Sequence, residues 1–205
     1  ALEDAMADAS GVLVIGEAHE GQLGTISQEI LAVGRKVADD LGEQLYIGLL
    51  GDTLVNASAE AISYGADVVY AVTNPLLSEY QSECYLKGME SLCKEISPNV
   101  ILIGRTNQGR ELAPRLAFRL GVGLAQDCLE ISVDEANKTL LANRPVYGGS
   151  AVAVISCNYT PQIAAVRPKV YEPLAPDNTR QGQVMSYPIE LDNETPASRV
   201  VEVVK

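Results

Sequence analysis

Histidine occurs once in the 205 residues, at His19. A lone imidazole excludes any mechanism that needs two. Cysteine is scarce and scattered: Cys84, Cys93, Cys128 and Cys157 form no C-x-x-C pair. That spacing fits no zinc knuckle, so no metal site is expected. Nor does it suggest a disulfide framework in a chain of this size. The four thiols read as buried or half-buried side chains. No apolar run approaches the ~20 residues of a membrane span. The opening Ala1-Leu2-Glu3-Asp4 is acidic and has no apolar stretch behind a basic one. It is expected to be neither a secretory signal nor an arginine-rich transit peptide. Basic residues are few, 15 Lys and Arg against 27 Asp and Glu, for a net charge of −12. Nucleic-acid binding requires clustered cations to displace the phosphate counterions, and a polybasic membrane contact requires the same, so neither is expected.

What remains is a globular mixture, 47% hydrophobic and 20% charged. The length suits one domain plus a tail, and folding at this size buries roughly 70% of the unfolded surface. Residues 12–16 form a short, wholly apolar, β-branched run, the mark of a strand buried on both faces. Helical spacing follows over 25–41, with Thr25 or Ser27 as N-cap and Gly42 as C-cap. The alternation continues with strands at 44–50, 67–72 and 99–104 and helices at 54–64, 80–96 and 108–120. Pro98 stops one helix, Gly121 ends another, and Pro114 is expected to kink the last. Apolar strands alternating with helices mean parallel βαβ units, with ligands beyond the carboxyl ends of the strands. After Gly121 four strands follow without helices, at 122–133, 138–147, 151–157 and 162–166. The expected fold class is therefore α/β, a Rossmann-like parallel sheet with flanking helices plus a β-rich second half. Residues 1–172 are expected as this domain, and 173–205 as an extended connector with a valine-rich terminal strand.

Three stretches carry candidate chemistry. Gly104 to Pro114 turns a strand into a helix and holds Arg105, Arg110, Arg115 and Arg119 within or just beyond it. A helix N-terminus with arginine nearby suits an anion. Arg115 and Arg119 read equally well as a solvated face answered by acids. The segment is neither a Walker A loop nor a G-x-G-x-x-G fingerprint. Second, Arg144, Tyr147, Gly148 and Gly149 meet at one strand–turn junction. The glycines leave bare backbone for a ligand ring, Tyr147 can stack on it, and Arg144 can stabilise negative charge developing there. The same glycine pair also suits an ordinary hairpin corner. Third, Arg167 leaves a strand and is expected to anchor it to an acid such as Asp127 or Glu172. His19 follows the first strand as a loop residue. No nucleophile–base pair is visible, so no catalytic residue is assigned.

In order along the chain, VLVIGEAHEGQLGTISQEILAVGRKVAD, YGADVVYAVTNPLLSEY, PNVILIGRTNQGRELAPRLAFRLGVGLAQDC, RPVYGGSAVA and PQIAAVRPKVYE resemble the N-terminal region of the electron transfer flavoprotein α subunit. The succession GRELAPRLA, RPVYGG, VRP is its most specific part. The resemblance implies an adenine-nucleotide-hydrolase-like α/β domain paired with a homologous β subunit. In that family a C-terminal domain encloses the α-subunit FAD with Ser-Gly-Arg-Gly, Gln-Val-Gly-Gln-Thr-Gly and Gly-Ile-Ser-Gly segments, none of which occurs in this sequence. In electron-bifurcating members a second FAD, held mainly by the β subunit, faces this domain; in others AMP takes that place. Carried over, Arg144 lies near the reactive edge of the flavin, lined by Tyr147, Gly148 and Gly149. The implied role is a heterodimeric electron carrier between dehydrogenases or NADH and a partner redox enzyme, acyl-CoA dehydrogenase among the partners. The location implied is cytoplasmic, or the mitochondrial matrix in a eukaryote. Two other readings stay open: an ATP- or AMP-binding enzyme of the same fold, and a scaffold that has lost its redox centre.

Overall fold

The computed structural model describes residues 9–134, 136–191 and 196. The acidic start and the expected valine-rich terminal strand lie outside the described residues. Among the described residues, seven parallel strands form the central sheet. They are β1 (Val12–Ile15), β4 (Leu45–Gly51), β5 (Val68–Thr73), β6 (Val100–Gly104), β7 (Leu124–Cys128), β11 (Gln162–Val166) and β12 (Gln183–Pro188). Their spatial order is β12-β5-β4-β1-β6-β11-β7. A two-stranded hairpin, β2 (Ala18–His19) with β3 (Gln22–Leu23), follows β1. Four helices among the described residues cover the sheet: α1 (Thr25–Leu41), α2 (Val55–Ser63), α3 (Ser82–Ile96) and α4 (Asn107–Leu120). A separate antiparallel sheet holds β8 (Glu130–Asp134), β9 (Thr139–Val146) and β10 (Ala151–Ser156).

The period-2 alternation of a strand explains the layering. Val12 and Val14 point into the core formed with Ile30, Leu31, Val33 and Val37 of α1. Leu13 and Ile15 point the other way, to Met89 and Leu92 of α3 and Leu112 and Leu116 of α4. Every residue of β1, β6 and β11 is buried, as strands covered on both faces require. The expected α/β class is what the structure shows.

Several local expectations are corrected. α1 is preceded by Gly24 and has no side-chain cap. Ser27 turns instead to the first loop, accepting from the Glu17 N–H at 2.7 Å and donating to the Glu17 carbonyl at 2.9 Å. Gly42 and Gly121 do end α1 and α4 in the left-handed region. Pro114 sits inside α4 without ending it. The expected strand at 122–133 is two strands: Asp127 has φ 63°, and the chain leaves the parallel sheet to begin β8. β11, expected with the β-rich second half, belongs to the central parallel sheet, between β6 and β7. Within the expected connector, Gln183–Pro188 pairs parallel with β5 in register from Val68 to Thr73.

Asp67 holds the far edge together. Its carboxylate accepts from the Leu45 N–H at 2.8 Å and from Arg35 at 2.7 Å, and pairs with Arg180. Its carbonyl accepts from Gln183. Burial pushes the Asp67 carboxyl up, but the Leu45 hydrogen bond and the two guanidiniums outweigh it and hold it below the ordinary carboxylate range. With the folded value depressed, the stabilisation is complete above about pH 4, the unfolded range, and drains away as pH falls through the folded value. Asp67→Ala is expected to cost about 2 kcal/mol in urea unfolding at pH 7. Solvent around the half-buried pairs keeps this below the cost of breaking a fully buried pair. The difference from the parent chain should shrink as the pH is lowered.

Candidate functional site

The strand order reverses direction between β1 and β6, the place where open parallel sheets take ligands. In this chain that crevice is filled by its own side chains. The Glu17 carboxylate, just past β1, accepts a short hydrogen bond from the Thr106 hydroxyl, just past β6. The same hydroxyl caps α4 by accepting from the Gly109 N–H at 3.1 Å. The helix N-terminus, expected as an anion site, therefore already faces an internal carboxylate. Burial pushes the Glu17 carboxyl up, while the Thr106 hydrogen bond and His19 pull it down. The remaining cavity here, lined by Ile15, Glu17, Leu50, Tyr85 and Leu112, is only about 10 Å3. That is room for one water at most. The opening beside it is lined by Glu20, Asp52 and Glu79, the wrong charge for a phosphate. His19 is exposed, 3.9 Å from Glu17.

Along the same edge, the carboxyl ends of β6, β11 and β7 bring Arg105, Arg167 and Asp127 together. Arg167 grips Asp127 with two hydrogen bonds, at 2.9 and 2.8 Å, which confirms the expected anchor. Arg105 approaches the same carboxylate at 3.5 Å. Hydrogen bonding from Arg167, with the charges of Arg105 and Arg144 beyond it, holds the Asp127 carboxyl below its ordinary range against the smaller effect of burial. Arg144 reaches this cluster from β9. Its side chain makes no hydrogen bond or ion pair among the described residues, and its buried Nε is unpaired.

The turn after β9 shapes the other wall. Tyr147, Gly148 and Gly149 have φ of 52°, 67° and 95°. Glycine adopts such angles without the Cβ clash that other residues meet. A Cβ at Gly148 or Gly149 would touch nothing, so what these residues supply is the backbone shape and an open surface. Tyr147 is 87% exposed. Asp127, Arg144, Pro145, Tyr147, Gly149 and Arg167 border an open cavity of about 500 Å3. The four sequence candidates, Arg144, Tyr147, Gly148 and Gly149, thus share one concavity. Arg110 is exposed and stands apart from it. Arg115 and Arg119 form the solvated face, answered by Glu83, Glu111 and Glu90. Sequence reasoning missed Asp127 as the hub of three guanidiniums. It also missed Arg105 as a member, which only the adjacency of β6 and β11 reveals.

The arrangement is an unpaired guanidinium beside bare backbone, open to a ligand whose charge becomes negative. Beside it, β10 is an edge strand among the described residues, with β9 on one side. Its Val152 and Val154 are 60% and 64% exposed. No helix among the described residues is long and apolar enough to cross a membrane, and they hold no cluster of His, Cys, Asp and Glu able to bind a metal.

The electron transfer flavoprotein domain family matches residues 12–191. Among curated proteins, the chain is 40% identical over 201 residues to the electron transfer flavoprotein subunit alpha of Thermoanaerobacterium thermosaccharolyticum, covering 98% of this chain and 61% of that protein. It is 39% identical to Protein FixB of Clostridium saccharobutylicum, covering 98% and 60%. Against Protein FixB of Azorhizobium caulinodans it is 37% identical, covering 93% and 52%. The chain spans between half and about three-fifths of the length of these relatives.

Proposed function

The chain belongs to the electron transfer flavoprotein domain family, and on that premise we propose that it is a subunit of a two-chain electron carrier. It pairs with a β-type subunit and lines an FAD held mainly by that partner, on the Arg144 side. The electrons pass between a dehydrogenase or NADH and a second redox enzyme. AMP in the partner's site is the variant of this reading in which the flavin lies elsewhere.

The observation that carries the reading is Arg144, a half-buried guanidinium with an orphaned Nε, facing a cavity walled by bare glycine backbone. A buried unpaired donor is costly unless a ligand completes it. The residues present fit a flavin edge. Gly148 and Gly149 offer a surface without side chains, Tyr147 offers an aromatic face, and Arg144 offers hydrogen bonds and charge. When bound, the isoalloxazine ring supplies the electron uptake and release, with negative charge growing as it is reduced. Arg144 is placed to favour that charge, in a site whose nearest carboxylate, Asp127, is already engaged by Arg167 and Arg105. The chain performs no acid–base step; it binds, orients and tunes. An ATP-using enzyme of this fold is disfavoured by the filled crevice between β1 and β6, where Glu17 stands in the phosphate's place.

The pairing surface is tested at β10. Val154→Asp puts a charge on an exposed apolar edge whose partner we take to be the β-type subunit. Association should weaken about tenfold or more by titration calorimetry, while the thermal midpoint of the chain stays unchanged. Unaltered affinity would remove β10 from the interface.

A further inference from the structure

Three guanidiniums surround one carboxylate at the ends of β6, β11, β7 and β9, leaving two positive charges unbalanced in an otherwise acidic chain. Their shares differ. Arg167 takes both oxygens of Asp127. Arg105 takes a weaker, shared position on Oδ1 at 3.5 Å, and its own buried Nε has no partner among the described residues. Arg105 is fixed here by more than its side chain. Its N–H donates to the Val166 carbonyl at 2.7 Å, continuing the β6–β11 ladder one residue past the strand. It is therefore held beside Asp127 by backbone geometry.

The consequence is electrostatic. Asp127 and Arg144 line the same cavity, so the carboxylate acts on Arg144 through space. Each cation that shares Asp127 reduces the negative field that the carboxylate exerts on the cavity. We propose that Arg105 is a positioning residue for the cofactor-facing arginine. By neutralising Asp127 together with Arg167, it leaves the charge of Arg144 directed at the bound flavin and makes the flavin easier to reduce. This rests on the flavin-lining role of Arg144 proposed above, and it assigns to Arg105 a role that its place outside the cavity lining conceals.

The sign of the effect distinguishes it from a structural role. Removing Arg105 takes away a positive charge and exposes a negative one, so both changes make reduction harder. Removing the charge of Asp127 does the opposite. The experiment measures the flavin's reduction equilibrium against a reference dye in the purified two-subunit complex. Four variants are compared with the parent: Arg105→Gln, Arg105→Lys, Asp127→Asn and Arg144→Ala. Arg105→Gln should shift the equilibrium toward oxidised flavin by about tenfold, as expected for one charge near a partly solvated site. Arg105→Lys should stay close to the parent, and Asp127→Asn should shift toward reduced flavin. If Arg105→Gln leaves the equilibrium unchanged while Arg144→Ala alters it, the Arg105 role is wrong and the Arg144 reading stands. If Arg144→Ala is also silent, the flavin-lining reading itself fails. Equal loss of flavin from Arg105→Gln and Arg105→Lys would make Arg105 purely structural and overturn the proposal.

Discussion

Gly109→Ala is expected to destabilise the chain by about 3 kcal/mol or more, the upper range of overpacking in a rigid contact. The added Cβ would lie 1.8 Å from the Gly104 carbonyl oxygen and 3.2 Å from Ile103 Cγ2. The first obstacle is backbone of a central strand and cannot rotate away. α4 would have to lift from the sheet, breaking the Gly109 N–H to Thr106 hydroxyl bond and loosening the Glu17–Thr106 bridge. Leu112, Ala113 and Leu116, buried on the same helix face, would lose contact with Ile101 and Ile103. Urea unfolding measures the effect directly. A variant as stable as the parent would show that α4 is not clamped to β6 at this point. Gly121→Ala is the natural comparison: its Cβ would meet nothing, so any loss there reflects the left-handed backbone alone and should be near 1 kcal/mol.

Arg144→Ala is expected to lower electron transfer through the complex by about 100-fold, the scale seen when one pre-positioned donor to developing charge is removed. Arg144 has no side-chain hydrogen bond or ion pair among the described residues, and its buried Nε is left for a ligand. Its carbon stem sits on β9, opposite Ala153 of β10, so the side chain can be removed without opening the main core. Stability and subunit pairing should therefore stay within about 0.5 kcal/mol of the parent, as for substitutions outside the core. Stopped-flow reduction of the flavin and a sedimentation profile separate the two effects. Slow transfer with an intact complex is the expected result; full-speed transfer would remove Arg144 from the redox site.

The parallel sheet was legible because its strands are contiguous apolar runs and its helices bury one face each. Residues 12–15 and 100–104 could not be half-exposed strands without stranding valine and isoleucine in water. The placement of β11 was not legible. Its run Gln162-Ile163-Ala164-Ala165-Val166 looks the same whether it pairs in the parallel sheet or the antiparallel one, since partner choice is a long-range matter. β12 was missed for another reason. An edge strand needs no apolar alternation, and Val184 and Met185 are both exposed. The split of 122–133 turns on one residue, Asp127, whose positive φ carries no hydrophobic signature.

At the site, the Arg144–Gly149 junction stood out through composition: a cation, an aromatic and two glycines are a rare combination in six residues. The Arg167–Asp127 pair was legible as charge complementarity. The filled crevice was not, because Glu17 and Thr106 are 89 residues apart and meet only once β1 and β6 are neighbours. Arg105 misled for the same reason. Read locally, it belongs to the N-terminus of α4; in the fold it turns away to Asp127.

The most direct test of the account is the flavin and adenine-nucleotide content of the complex that this chain forms with its partner subunit, released by acid and identified by mass spectrometry. The expected result is FAD in a stoichiometric complex with a homologous second chain. A complex that carries ATP alone, or a chain that pairs with nothing and binds no flavin, would contradict it.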